Sequence, residues 1–131
     1  MDPYAVDAKA LLEPYITANA FSGTILVANG AAINLGQDSQ NSALIRLLGG
    51  SLAGNFITNA GSIVGAGNGS GAQVFNDAGG TILASNGTLS AFLWNDLNKG
   101  ALSVFSAGST LYLGNSNLLN QGQITLNGGA L

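Results

Sequence analysis

Two carboxylates hold most of the chemistry this sequence offers. Asp77 and Asp96 each directly follow an Asn in a recurring phrase, which is expected to set one above the other in a stacked fold, with Lys99 close by. Carboxylates one layer apart could hold Ca2+ or act as an acid and base pair. No third acid falls in phase with them, and the chain contains neither His nor Cys. Imidazole bases, thiolate nucleophiles, disulfides and the usual zinc, copper and haem ligands are thereby excluded. A Ser-x-x-Lys nucleophile is excluded too, because Val6 and Asp96 stand three residues before Lys9 and Lys99. A phosphate-binding loop needs Gly-Lys-Ser/Thr, and Lys99-Gly100 has the order reversed. The plainer reading makes Asp77 and Asp96 solvated corner residues. On it the protein is not an enzyme and needs no metal or cofactor.

What must position these residues is the phrase itself: an Asn, a Gly a few residues on, and an aliphatic residue two after the Gly. Its copies are Asn59, Gly61 and Ile63; Asn76, Gly80 and Ile82; Asn95, Gly100 and Leu102; and Asn120, Gly122 and Ile124. Each is led in by apolar residues: Phe56-Ile57-Thr58, Val74-Phe75, Phe92-Leu93-Trp94 and Leu118-Leu119. Weaker copies open at Asn19 and Asn41, so the steps between successive Asn residues are 22, 18, 17, 19 and 25. Periods of about 20 residues filled with short strands and Gly/Asn/Ser turns indicate a β-helix. A β-sandwich has similar strand spacing but no reason to reuse one phrase at one phase. The expected fold is therefore all-β, a parallel β-helix (β-solenoid) of about five to six rungs over residues 19–131. Gly and Asn are expected at the corners because they adopt left-handed backbone conformations at least cost. Stacked Asn amides would form a ladder, and Ile63, Ile82, Leu102 and Ile124 an inward column. Phe56, Phe75 and Trp94 precede the Asn of their rungs and read either as an aromatic column inside the coil or as an exposed carbohydrate-binding strip.

Residues 1–18 differ from the rest. They hold both Pro residues, no Gly, and the charges of Asp2, Asp7, Lys9 and Glu13. Val6, Ala10, Leu11 and Tyr15 fall near helical spacing behind an Asp2-Pro3 start, which predicts a short helix from about Pro3 to Glu13. Laid across the first rung with Val6, Leu11 and Tyr15 inward, it would cap the open core.

The Asn-x-Gly-x-Ile pattern with Gly/Asn/Ser corners resembles the right-handed parallel β-helix repeats of autotransporter passenger domains and filamentous-haemagglutinin-type adhesins. The resemblance implies an elongated extracellular scaffold for adhesion or matrix. Pectate lyases and polygalacturonases resemble the same fold but rely on clustered acids and basic residues, of which only Asp77, Asp96 and Lys99 have counterparts here. An intracellular polymer resembling the bactofilin cytoskeleton is a further alternative.

Composition narrows the partners. Charged residues make up 7% of the chain, against about 25% in typical domains. Net charge is −3 with only Lys9, Arg46 and Lys99 positive, so phosphate neutralisation and nucleic-acid binding are not expected. Apolar runs fall far short of the ~20 residues of a membrane span. The acidic N-terminus lacks the pattern of a cleaved signal. The expected function is structural: a subunit whose partner is itself, stacking head to tail into an extracellular or cell-surface fibre or matrix. The expected contacts are Asn120, Ile124, Leu126 and Leu131 at one end and the cap residues Val6, Leu11 and Tyr15 at the other. The alternative is an adhesin-type module that holds glycan or protein on its flank.

Overall fold

The computed structural model describes residues 20–21, 23–36, 38–114 and 117–131. The expected cap, with Val6, Leu11 and Tyr15, and the phase marker Asn19 lie outside the described residues. Within them the chain forms β1 (Ala20–Phe21), β2 (Thr24–Ala28), β3 (Ala32–Asn34), β4 (Ser39–Asn41), β5 (Leu44–Asn59) and β6 (Ser62–Asn76). There follow β7 (Thr81–Ala91), β8 (Leu93–Asn98), β9 (Ala101–Phe105), β10 (Thr110–Leu113), β11 (Leu119–Asn120) and β12 (Gln123–Asn127). All belong to one 12-stranded sheet, and every pairing is parallel. No helix occurs among the described residues. The fold is a parallel β-solenoid of about 5 turns.

The winding rule is visible in β5. Its first part, Leu44 to Leu48, pairs with β2 on one side and β6 on the other; Ser51 to Ala53 pair with β3, and Ile57 to Asn59 with β4. One strand therefore covers a whole turn made of three paired segments. Parallel neighbours stacked this way sit about 4.8 Å apart.

Alternation along each segment sends every second residue inward, and the registers line those residues up. Ile25, Ile45, Ile63, Ile82, Leu102 and Ile124 stack in one column; Val27, Leu47, Gly65, Ala84, Val104 and Leu126 stack in the next. The third segment adds Ser39, Ile57, Val74 and Leu93. Ile45, Ile57, Ile82, Leu93 and Leu102 are wholly buried. Each contributes roughly 1.5–3 kcal/mol by leaving water. Because Ile or Leu sits over its like in each turn of the first column, the core is continuous along the axis and has no layer of its own at any single turn.

The glycines of the phrase have a different cause from the one expected. Gly61, Gly80, Gly100 and Gly122 are absent from the residues with positive φ. A Cβ on Gly61 would run into the Ala43 carbonyl oxygen, on Gly80 into that of Asn59, on Gly100 into that of Gly80, and on Gly122 into that of Gly100. The requirement is close approach of one turn to the next. Left-handed glycines occur elsewhere, as at Gly30 (φ 80°), the third residue of a turn closed by the Ala31 N–H donating to the Ala28 carbonyl at 2.9 Å.

Adjacent glycines separate these effects. Gly79 is not left-handed, and a Cβ there would have as its nearest neighbour the Ala60 carbonyl oxygen at an ordinary 3.5 Å. Urea unfolding should show Gly80→Ala destabilised by about 1–3 kcal/mol from overpacking, while Gly79→Ala stays within about 0.5 kcal/mol of the parent.

Candidate functional site

The chemistry of this protein is concentrated in a column of side-chain amides. The register places Asn41, Asn59, Asn76, Asn98 and Asn120 over one another. The Nδ2 of each donates to the Oδ1 of the next: Asn41 to Asn59 at 2.8 Å, Asn59 to Asn76 at 2.9 Å, Asn76 to Asn98 at 2.7 Å and Asn98 to Asn120 at 2.7 Å. The second amide hydrogen goes to a main-chain carbonyl, of Ser62, Thr81, Ala101 and Gly100 respectively. The first four Asn side chains are wholly buried, and no buried side-chain polar atom among the described residues lacks a partner. The ladder is directional, since all its inter-turn donors point toward the later turns.

Asn95, assigned to this column from the sequence, is not in it. Val74 pairs with Leu93 and Asn76 with Asn98, so the single residue Phe75 faces the four residues Trp94 to Leu97. Asn95 (φ 56°) and Asp96 (φ 55°) absorb the excess in left-handed conformations, and Asn95 is exposed. With Asn98 in phase the last two steps are both 22 residues instead of 19 and 25. The signal was present: Asn98-Lys99-Gly100 repeats the Asn-x-Gly of Asn59-Ala60-Gly61 and Asn120-Gln121-Gly122. At the other end, the backbone of Phe21 pairs with Asn41, so Asn41 is the first amide of the ladder among the described residues.

The same shift separates the two acids. Lys99 follows Asn98 as Asp77 follows Asn76, so a cation and not Asp96 occupies the position in phase with Asp77. Asp77 Oδ1 accepts the Ala78 N–H at 2.8 Å, and Lys99 Nζ lies 5.8 Å from the Phe75 ring centre. No group of three or more His, Cys, Asp or Glu that could hold a metal ion occurs among the described residues. The aromatic residues lie outside the coil: Trp94 packs edge to face with Phe56 at 5.5 Å and Phe75 at 6.0 Å between ring centres, and is 39% exposed.

The turn containing β12 differs from those beneath it. Ile124 and Leu126 occupy the inward columns yet are exposed, as is Leu131. Asn120 Nδ2 donates to the Gly122 carbonyl at 3.1 Å, which leaves its other amide hydrogen, the one its predecessors give to the next Asn, without a partner among the described residues. The structure thus brings Asn120, Ile124 and Leu126 onto one polar-and-apolar face.

The class this geometry defines is a parallel β-solenoid with an internal asparagine ladder. Comparison with family models, curated proteins and solved structures yields no match. The parallel coil is what the chain shares with autotransporter and haemagglutinin-type repeats, and no relative ties it to either family.

Replacing a ladder amide should be far more costly than replacing Asn95. Asn76→Ala strands a buried donor of Asn59 and the acceptor of Asn98, an expected loss of about 2–5 kcal/mol, whereas Asn95→Gly relieves a left-handed residue and should be neutral or slightly stabilising. Thermal melts of the two variants check the assignment.

Proposed function

We propose that the protein is a structural, non-enzymatic subunit that self-associates end to end, extending the solenoid into a fibre or matrix outside the cell. The observation that carries this reading is the match between two faces of the same chain. Among the described residues, Ile25 and Val27 of β2 begin the inward columns in which Ile124 and Leu126 of β12 stand last. A second copy set with β2 over β12 would place the half-buried Ile25 on Ile124 and bring the backbone of Val27, whose side chain is buried, into register with Leu126. β1 of that copy would then face Asn120 and its remaining amide hydrogen. Parallel β-edges pair readily when nothing charged or bulky obstructs them, and β12 carries no charged residue. The composition agrees, because a chain with 7% charged residues offers little like-charge repulsion against close stacking of copies.

Complementation tests this reading directly. Sedimentation and negative-stain microscopy should show concentration-dependent rods for the unmodified chain and monomers for Ile124→Lys and Ile25→Lys separately. An equimolar mixture of the two variants retains one intact pair of ends, so it should form dimers and nothing longer. An unmodified chain that remains monomeric at every concentration overturns the proposal.

A further inference from the structure

We propose that the flank of the third paired segment binds a neutral saccharide chain, seated on Trp94 and in the groove beside it. The site stands apart from end-to-end assembly, since it lies on the side of the coil and not on the face of β12. Ile57, Val74 and Leu93 are buried, so the residues beside them in the strand, Phe56, Gln73, Phe75, Phe92 and Trp94, turn outward. Trp94 leans back across the intervening turn to reach Phe56 and meets Phe75 on the way. The rings form a cluster in which Trp94 stands nearly perpendicular to both Phe56 and Phe75, and Trp94 retains 39% exposure.

Phe92, two residues before Trp94, lines an open groove of about 340 Å³ together with Asn55, Ser70 and Gln73. Gly54 and Gly71 line it as well; a Cβ on Gly71 would press on Ala53 and the Leu52 carbonyl of the turn beneath, so that glycine serves the stacking of the turns. No charged side chain lines it. Asn55 Nδ2 donates to Asp38 Oδ1 at 2.8 Å, which fixes the amide and leaves its Oδ1 as an acceptor. The Gln73 side chain makes no hydrogen bond among the described residues and offers both donors and an acceptor. A pyranose has an apolar C–H face and a rim of hydroxyls that both donate and accept. Trp94 and Phe92 suit the face, and Asn55, Ser70 and Gln73 suit the rim. An apolar peptide would desolvate those amides without pairing them, and a uronate chain would bring negative charge beside Asp38 on a chain already at −3.

The bulge adjoins this flank. Asn95 and Asp96 both adopt positive φ, a conformation that Asn and Asp accept more readily than other side chains, and they carry three extra residues directly after Trp94.

Trp94 is the only tryptophan, so its fluorescence reports the site. Titrations with cellohexaose, xylohexaose, mannohexaose and maltohexaose should give a saturable shift with at least one, and hexagalacturonate none. Gln73→Ala, an exposed change, should weaken the positive hexamer about tenfold with unchanged circular dichroism, and calorimetry should find binding lost in folded Trp94→Ala. Failure of all four neutral hexamers, binding of hexagalacturonate alone, or undiminished binding by Trp94→Ala overturns the proposal.

Discussion

A carboxamide buried inside a protein costs free energy unless its donors and acceptor are paired, and this coil depends on meeting that condition four times over. Asn41, Asn59, Asn76 and Asn98 are wholly buried, and each is satisfied only when the turn above is in register. A slip of one residue would turn every inward aliphatic outward and break every amide pair at once. The apolar columns supply most of the stabilisation, but on their own they would tolerate a slip of two residues, which keeps the same face inward, because Ile over Leu is nearly as good as Ile over Ile. The ladder removes that freedom. The phrase glycines then allow the turns to close to the distance at which the amides meet, since a Cβ on Gly80 would collide with the Asn59 carbonyl oxygen of the turn beneath.

A fixed ladder also explains where the coil accepts extra length. Steps along it are 18, 17, 22 and 22 residues, yet the first paired segment keeps one register from β2 to β12. The additional residues are expelled at corners and at the bulge from Trp94 to Leu97, where they change the outer surface without disturbing the core. Variation in such a fold is therefore confined to the exterior, which is where a ligand would meet it.

Much of this was legible from residue types. The repeated Asn, Gly and aliphatic phrase is enough to expect a parallel coil with stacked Ile63, Ile82, Leu102 and Ile124, because a column of like on like is the physical content of the repeat. The phase at Asn95 is ambiguous because two Asn residues stand three apart and both precede Gly100, and Asn76, four residues before Gly80, shows that the spacing is not fixed. The Asn-x-Gly spacing favours Asn98, and the register with Asn76 and Asn120 decides for it. The reason for the glycines was hidden for a related cause, since a contact between turns about 20 residues apart leaves no trace in local conformational preference. The exterior position of Phe56, Phe75 and Trp94 was recoverable in principle: each sits an odd number of residues from a buried aliphatic neighbour, Ile57, Val74 or Leu93, and alternation then sends it outward.

The direction of the ladder bears on what kind of assembly is possible. Every inter-turn amide donor points toward β12, so the two ends of the coil are chemically unlike. A twofold contact between two β12 faces would set the Asn120 donor of one copy against that of the other and would join the strands antiparallel across an otherwise parallel stack. It would also oppose Ile124 to residues outside its own column. Head-to-tail contact has neither defect, because it repeats the relation that each turn already has with the next. A contact of that kind joins two different surfaces and, when the rotation between copies does not close a ring, generates an open filament and not a dimer. In the proposed assembly, the same polarity that holds the turns in register would favour growth along the axis over closure.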